Sequence, residues 1–241
     1  MQYARSILFF FYIYAAMAVI GIGCAPLALW SRGGAEWTMR LYARAVMLGA
    51  RVLIGLRCEV RGPAPTGEVI VASKHQSFLD ILMLFSALET PRYIMKRSLR
   101  WAPILGFYAM RIGCAPVDRG GKSGAVKKMV EASAATRHIE GQIIIFPQGT
   151  RVSPSAKLPY KGGVHALAEG LGVPVHLAAT NVGLFWPRGG LLRKPGLAVV
   201  EFLGPMTEGL NRKDMTAEME ARIEAASEAL YAEARALDPS L

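Results

Sequence analysis

The chain has few of the residues that build metal sites or disulfide frameworks. Among its 241 residues there are three cysteines and four histidines. Cys24, Cys58 and Cys114 are odd in number and lack the short spacings of a zinc site or a redox pair. We therefore expect free thiols, a reducing compartment and no bound metal ion. Cys114 lies beside a sequence motif, so a role as a nucleophile stays open next to that of a small apolar core residue.

Charged residues are absent from residues 6–31, a run of 26 consecutive uncharged side chains. This run exceeds the ~20 apolar residues that an α-helix needs to cross a bilayer. A cleavable signal peptide is disfavoured, because Arg5 is the only basic residue before the run and the apolar part is too long. We expect the run to attach the protein to a membrane. Gly21 and Pro26 interrupt it, so a spanning helix and a half-inserted hairpin are both open.

Residues 37–56, just beyond this run, have the pattern of a basic amphipathic helix, which is typical of a membrane surface. An ordinary helix packed on the domain is the alternative. Between Arg32 and Arg61 there are six arginines and two glutamates. Because basic residues next to a membrane segment favour the cytoplasmic side, we expect the inner (cytoplasmic) membrane, with the rest of the chain facing the cytoplasm.

The net charge of +10 is unevenly distributed along the chain. Residues 92–128 hold nine basic side chains and one acid, Asp118, whereas residues 214–238 are acidic. Nucleic acid is disfavoured as a partner, since no nucleic-acid motif is present and aromatic residues do not alternate with the basic ones. An anionic membrane surface, a phosphorylated substrate or an acidic carrier protein suits the basic region better. A solvated basic face without a ligand is the remaining alternative.

The order of apolar runs and turn residues predicts the fold class. Gly and Pro are concentrated in residues 61–67, which predicts a boundary between an N-terminal membrane anchor, 1–60, and a domain, 61–241. Beyond it, strand-like runs alternate with helix-like ones, which indicates an α/β domain with a mainly parallel central sheet flanked by helices. The predicted strands are 69–72, 93–95, 113–117, 143–146, 175–180 and 197–202. The predicted helices are 78–88, 101–110, 123–138, 164–171 and 215–236.

His75 and Asp80 lie five residues apart where the first of these strands passes into a helix. With His75 on the loop and Asp80 in the first helical turn, the carboxylate can reach one imidazole nitrogen while the other faces a substrate. The pair is then a general base and its orienting carboxylate. Alternatively, Ser77 and Asp80 form only a helix-capping signal. Ser77 is a rival nucleophile, and Lys74 is expected to face the substrate or the solvent.

Three further blocks follow in order. They are Gly113-Cys114-Ala115-Pro116-Val117-Asp118-Arg119, Ile143-Ile144-Ile145-Phe146-Pro147-Gln148-Gly149-Thr150-Arg151 and Gly172-Val173-Pro174-Val175. With the His-x4-Asp block, they resemble the glycerolipid acyltransferases, most closely the bacterial 1-acyl-sn-glycerol-3-phosphate acyltransferases. The likeness runs from about Val69 to Val175. One residue departs from the pattern, since that family usually has glutamate at position 148.

The resemblance implies acyl transfer from acyl-CoA or an acidic acyl carrier protein to the hydroxyl of lysophosphatidic acid, without a cofactor. His75 is then the catalytic base and Asp80 its partner. The implied substrate-binding residues are Arg119, Gln148, Gly149, Thr150, Arg151 and Lys161. Because Gln148 lacks the usual charge, another acceptor, such as glycerol-3-phosphate or a lyso-aminolipid, stays open. An inactive, membrane-anchored binding protein is the alternative from another class.

Overall fold

A computed structural model describes residues 1–118, 124–136 and 138–241. The chain begins with three helices: α1 is Gln2–Gly23, α2 is Ala25–Trp30 and α3 is Arg32–Gly49. Pro26 lies in the first turn of α2, where its missing N–H costs no hydrogen bond. The Ser31 hydroxyl accepts the Gly34 N–H at 2.9 Å and so caps α3. A π-helical turn, Ala50–Ile54, then leads into the sheet.

Seven strands form one sheet. They are β1 Leu56–Arg61, β2 Ile70–Ser73, β3 Arg92–Lys96, β4 Ala115–Val117, β5 Ile143–Ile145, β6 Val175–Thr180 and β7 Gly196–Pro205. Their order across the sheet is β1-β7-β6-β2-β5-β3-β4. Every pair is parallel except β6 and β7, which are antiparallel with an irregularity between Leu177 and Ala178. The α/β class with a mainly parallel sheet is thus confirmed.

The remaining helices connect these strands. They are α4 Leu79–Ala87, α5 Leu105–Arg111, α6 Ala125–Ala134, α7 Gly163–Leu171, α8 Val182–Phe185 and α9 Arg212–Leu237, with a 3-10 helix at Arg97–Trp101. Side chains alternate between the two faces of a strand. Val71 and Ile144 accordingly belong to a core shared with α1, α3, α4 and α5. Ile70 and Ile143 belong to a second core shared with α6, α7 and α9. The helices therefore cover both faces of the sheet.

Strand β1 is the main element that the sequence pattern did not predict. It pairs in parallel with β7 along its whole length, from Leu56 opposite Gly196 to Arg61 opposite Glu201. It lies across the predicted boundary between residues 60 and 61. The division into 1–60 and 61–241 itself stays a prediction, but the N-terminal helices and the sheet share one apolar core.

Candidate active site

The histidine and the aspartate of the first motif are in contact. His75 lies on the loop after β2, and Asp80 is the second residue of α4. The His75 Nδ1 is 3.0 Å from Oδ1 of Asp80, which is fully buried. A carboxylate oxygen accepts the hydrogen bond, so the donor is the Nδ1–H, and in the neutral imidazole Nε2 is then an acceptor. This is the arrangement that a general base needs.

Asp80 also holds the loop that carries the histidine. Its second oxygen, Oδ2, accepts the main-chain N–H groups of Gln76 and Ser77, both at 2.7 Å. The Ser77 hydroxyl accepts the Leu79 N–H at 3.2 Å. The capping contacts and the histidine contact therefore coexist in one carboxylate, because its two oxygens face different partners.

The imidazole plane is fixed by an aromatic neighbour. Phe146, the first residue after β5, stacks on His75 with ring centroids 3.8 Å apart and planes inclined by 15°. Stacking on one face and the hydrogen bond to Asp80 at one edge together restrict ring rotation. Such restriction is what keeps a base aligned with its substrate.

His75 lines a cavity of about 640 Å³, which we call the histidine cavity. Its wall is largely apolar, with side chains from α3, α4, β3, α5 and the 3-10 helix: Met39, Phe78, Ile81, Tyr93, Met95, Leu99, Leu105, Ala109, Ile112 and Cys114. Cationic side chains also line it: Lys96, Arg151 and Arg188. A cavity with this lining can accommodate both a long apolar chain and an anionic group next to one base.

Three of the predicted substrate-binding residues, Gly149, Thr150 and Arg151, line the histidine cavity. Gly149 adopts φ 73°, which glycine tolerates without strain, and the chain then leads Thr150 and Arg151 to the cavity wall. The Thr150 hydroxyl accepts a hydrogen bond from the Arg188 guanidinium at 3.3 Å. Arg188 was not predicted, because it follows α8, outside every recognisable motif.

Lys161 lies in a neighbouring cavity of about 390 Å³, which we call the lysine cavity. The two cavities share Ile94, Phe146 and Gly149 as walls. A Cβ added to Gly149 would lie 3.0 Å from the Lys161 Nζ, so the ammonium lies directly against the Gly149 main chain. Arg212, at the start of α9, also lines this cavity.

Of the predicted substrate-binding residues that the structure describes, Gln148 does not appear in these walls. Gln148 is 1% exposed, lines neither cavity and donates its amide to the Leu158 carbonyl at 3.4 Å. Arg119 lies outside the described residues, so its role stays a prediction.

The thiol on the cavity wall is not prepared for nucleophilic attack. Cys114 is buried, and its sulfur accepts the Tyr93 N–H at 3.3 Å. Burial raises the pKa of this thiol to about 12. The thiolate, which is the reactive form, is therefore scarce at neutral pH. Within the described ranges, no group of three or more His, Cys, Asp or Glu residues is arranged to hold a metal ion.

Comparison with known proteins agrees with this geometry. The acyltransferase family model matches residues 57–179. A 1-acyl-sn-glycerol-3-phosphate acyltransferase of Pseudomonas aeruginosa is 29% identical over 209 residues, which are 85% of this chain and 80% of that protein. The enzyme of that name from Salmonella typhimurium is 30% identical over 190 residues, 75% of each chain. The alpha form of mouse is 32% identical over 72% of this chain and 64% of its own length.

A solved structure shows the same fold. The 1-acyl-sn-glycerophosphate (LPA) acyltransferase PlsC of Thermotoga maritima superposes with a TM-score of 0.78 at 21% identity, covering 96% of this chain and 98% of its own. The matched family region contains the His75–Asp80 pair, Phe146 and the Gly149–Arg151 segment. This chain belongs to the acyltransferase family.

Proposed function

We propose that this acyltransferase transfers a fatty acyl group from a thioester to the free hydroxyl of lysophosphatidic acid and so produces phosphatidic acid. The observation that carries the proposal is the buried His75–Asp80 pair in a cavity that is apolar over most of its wall and cationic at Arg151 and Arg188. That combination fits the two substrates, a thioester with a long acyl chain and a phosphorylated alcohol. The names of the bacterial and mammalian relatives support the same activity.

In the proposed reaction, His75 is a general base and forms no covalent bond. Its Nε2 takes the proton of the acceptor hydroxyl as the oxygen attacks the thioester carbonyl. The tetrahedral intermediate then collapses, the C–S bond breaks, and the imidazolium returns the proton to the departing thiolate. Asp80 stabilises the imidazolium through Nδ1, at the 3.0 Å contact. The acceptor hydroxyl is itself the nucleophile, so neither Ser77 nor Cys114 is needed for attack.

The acceptor phosphate is assigned to the arginines of the histidine cavity. A guanidinium can hold a phosphate with two parallel hydrogen bonds, and Arg151 and Arg188 are available for this. Lys161 in the adjoining cavity, and Arg119 by sequence, would add positive charge. Gln148 lines neither cavity, so its missing charge does not argue against lysophosphatidic acid.

The donor is acyl-CoA or an acyl carrier protein, which both present an acyl thioester on a long, flexible, phosphate-bearing arm. The apolar wall of the histidine cavity suits the acyl chain. Lys96 lines the cavity, and Arg100 follows it on the 3-10 helix, where both favour an acidic carrier or a phosphate by charge. Arg97 on the same helix is ion-paired with Asp118 at 2.9 Å. No cofactor takes part in this reaction.

Activity assays with matched variants test the proposal. Purified protein in detergent is given one radiolabelled acyl thioester, either acyl-CoA or acyl carrier protein, and one of three acceptors: lysophosphatidic acid, glycerol-3-phosphate or a lyso-aminolipid. We expect lysophosphatidic acid to be preferred and His75→Ala to lower kcat on the order of 10²–10⁴-fold. Asp80→Asn should also reduce kcat sharply.

Activity of His75→Ala within about tenfold of wild type would refute the role of His75 as general base. Preference for a phosphate-free acceptor would refute lysophosphatidic acid as the acceptor. No turnover with any pair would favour the inactive binding protein.

We assign membrane attachment to α1, the one helix in the described residues that is long and apolar enough to cross a membrane. Near its start, the Gln2 amide donates to the Arg193 carbonyl at 2.8 Å. Near its end, the Gly21 carbonyl accepts the Tyr108 hydroxyl at 2.8 Å. Because both ends contact the α/β domain, they lie on one side of the bilayer. This favours a helix lying in one leaflet of the inner membrane, approached from the cytoplasm, over a spanning helix.

A second surface next to α1 supports the same attachment. Trp101 is 75% exposed, and Leu99, Phe107 and Met110 are also exposed. The Arg100 guanidinium lies 4.4 Å from the Trp101 ring centroid, an aromatic and basic pairing typical of the lipid headgroup region. We call residues 97–111 the rim segment, because Leu99, Leu105 and Ala109 within it line the histidine cavity. A lipid acceptor would then reach His75 without leaving the membrane surface.

A further inference from the structure

Lys74, which precedes His75, extends its side chain away from the histidine cavity. The side chain is 1% exposed, and its Nζ lies 2.6 Å from Oε2 of Glu224 on α9. The other carboxylate oxygen of Glu224 accepts the Tyr160 hydroxyl at 2.8 Å. Lys74 therefore faces neither the substrate nor the solvent, in contrast to the expectation from sequence. Its buried charge is balanced by a residue 150 positions later in the chain.

Gln76, which follows His75, also contacts α9. Its amide nitrogen donates to the Tyr231 hydroxyl, and its amide oxygen accepts the Gly183 N–H at 2.8 Å. Tyr231 is buried, and burial raises its pKa, so the phenol stays neutral and keeps its hydroxyl proton. Gln76 thus has both ends of its amide group satisfied inside the protein.

These contacts hold the main chain on both sides of the base. Glu224 and Tyr231 are seven residues apart on α9, which places them two turns apart on one side of the helix. The His75 carbonyl itself accepts the Val152 N–H at 2.8 Å. The loop is therefore bounded by α9 on one side and by the continuation of the Gly149–Arg151 segment on the other. Its His75 imidazole lines the histidine cavity, whereas the side chains of Lys74 and Gln76 do not.

We propose that Glu224 and Tyr231 are positioning residues, through which the C-terminal helix aligns His75 with the acceptor hydroxyl. The proposal rests on the proposed role of His75 as general base. Both residues lie beyond residue 179, outside the region that the family model matches. Neither lines the histidine cavity or the lysine cavity, so their contribution should concern the chemical step and not substrate binding.

Replacement of Glu224 by glutamine tests the role of its charge. The substituted amide keeps the size and an acceptor oxygen for Tyr160 but leaves the Lys74 ammonium without a counter-charge. An unpaired buried charge is strongly unfavourable, so Lys74 would move toward water and displace the loop. A displacement of ~1 Å can cost about a hundredfold in rate. We expect kcat to fall roughly 10- to 100-fold, with the KM values of donor and acceptor within about twofold. Tyr231→Phe should lower kcat less.

Two further variants separate positioning from general stability. Glu228→Gln makes the same charge change at an exposed position on the same helix, and should keep wild-type kcat. Lys74→Met added to Glu224→Gln removes the unpaired ammonium, and should restore kcat to within about threefold of wild type. Every variant is assayed well below its own Tm, which is measured in the same detergent. A loss of stability alone would lower Tm without this pattern of kcat.

The outcomes distinguish this proposal from the one on which it rests. A wild-type kcat in Glu224→Gln, or a kcat that Lys74→Met fails to restore, would overturn the positioning role while His75→Ala still abolished activity. An active His75→Ala variant would overturn the general base, and the positioning role with it. A change confined to Tm would show that α9 supports only the fold.

Discussion

The first and last long helices of the chain differ in the face that they leave exposed. Helix α1 has 22 residues and exposes a stripe of large apolar side chains at helical spacing: Leu8, Phe11, Val19 and Ile22. Helix α9 has 26 residues, buries Met215, Met219, Ile223 and Leu230 along one side, and exposes mainly alanine and charged residues. Both pack on the same domain. Their outer faces therefore suit two different solvents, lipid for α1 and water for α9.

Over most of its length, α9 also lies on the face of the sheet opposite α1, and Ala234 near its end reaches the core shared with α1. Phe9 and Ile13 of α1 belong to the core on one face, and Met219 and Ile223 of α9 belong to the core on the other. The loop that carries His75 crosses from one side to the other: its imidazole lines the histidine cavity, and its neighbours Lys74 and Gln76 contact α9. The reaction would then take place on the side of the sheet that faces lipid. The contacts that hold the His75 loop would come from the side that faces water.

The largest effect is expected when acidic residues are introduced on the exposed faces of the two helices. Phe11→Glu with Val19→Glu should release the protein from liposomes, because each buried apolar side chain contributes about 1.5–3 kcal/mol, so the partition coefficient should fall on the order of 10²–10⁴-fold. Vesicle sedimentation measures the bound fraction. Ala225→Glu with Ala229→Glu on α9 is the matched control, and should leave binding nearly unchanged. Equal loss in both double variants would contradict the assignment of the lipid-facing side.

A glycine pair on α3 tests how firmly α1 is attached to the domain. A Cβ at Gly49 would lie 2.2 Å from the Tyr12 ring, whereas one at Gly33 meets nothing within 4 Å. We expect Gly49→Ala to lower the free energy of unfolding by about 1–3 kcal/mol through overpacking. Gly33→Ala should be neutral or raise it by up to ~1 kcal/mol. Thermal unfolding in detergent compares them, and equal Tm values would argue that α1 is not packed on α3.

The rim segment provides a smaller test of the lipid-facing side. Trp101→Ser removes the most exposed aromatic residue of that segment, and should weaken binding to anionic vesicles roughly tenfold. Leu237→Ser, at the end of α9 and outside the rim segment, removes a side chain of nearly equal exposure, with 74% for Leu237 against 75% for Trp101. It should not change binding. Unchanged binding of Trp101→Ser would restrict membrane contact to α1.

The smallest expected effect lies on the buried side of α9. Ser227 is fully buried, and its hydroxyl has no hydrogen-bond partner among the described residues. Ser227→Ala should therefore be neutral or raise the free energy of unfolding by up to ~1 kcal/mol. Ser133→Ala in α6 is the control, because that hydroxyl donates to the Met129 carbonyl at 2.9 Å. A destabilised Ser227→Ala would indicate that its hydroxyl does have a partner.

Local patterns in the sequence were sufficient for most of the fold. The six predicted strands and the five predicted helices beyond residue 61 are all present, with ends shifted by a few residues. Apolar runs and Gly or Pro turns are short-range signals, so they can be recognised without knowing the neighbours in space. Strand β1 was missed although Arg57, Glu59 and Arg61 alternate with apolar residues, because the predicted helix 37–56 and the predicted loop 61–67 overlap its two ends.

The contact between His75 and Asp80 could also be predicted from the sequence, since the two residues lie five positions apart and their contact depends on one turn. Arg188, Glu224 and Tyr231 were not, because nothing near them in the chain distinguishes them from surface residues. Glu224 even belongs to the acidic region that suggests a solvated face. The parallel sheet and the return of α9 along it bring residues more than a hundred positions apart to one loop.

The sequence by itself thus predicted the contact of His75 with Asp80, the family and a long apolar first helix, because each can be recognised from short segments of the chain. The tertiary structure decided which charges are buried, which face of each helix is exposed, and which residues contact the loop that carries His75. Those properties depend on contacts across the sheet, where burial removes water and makes an ammonium such as Lys74 depend on a partner that only the folded chain brings near.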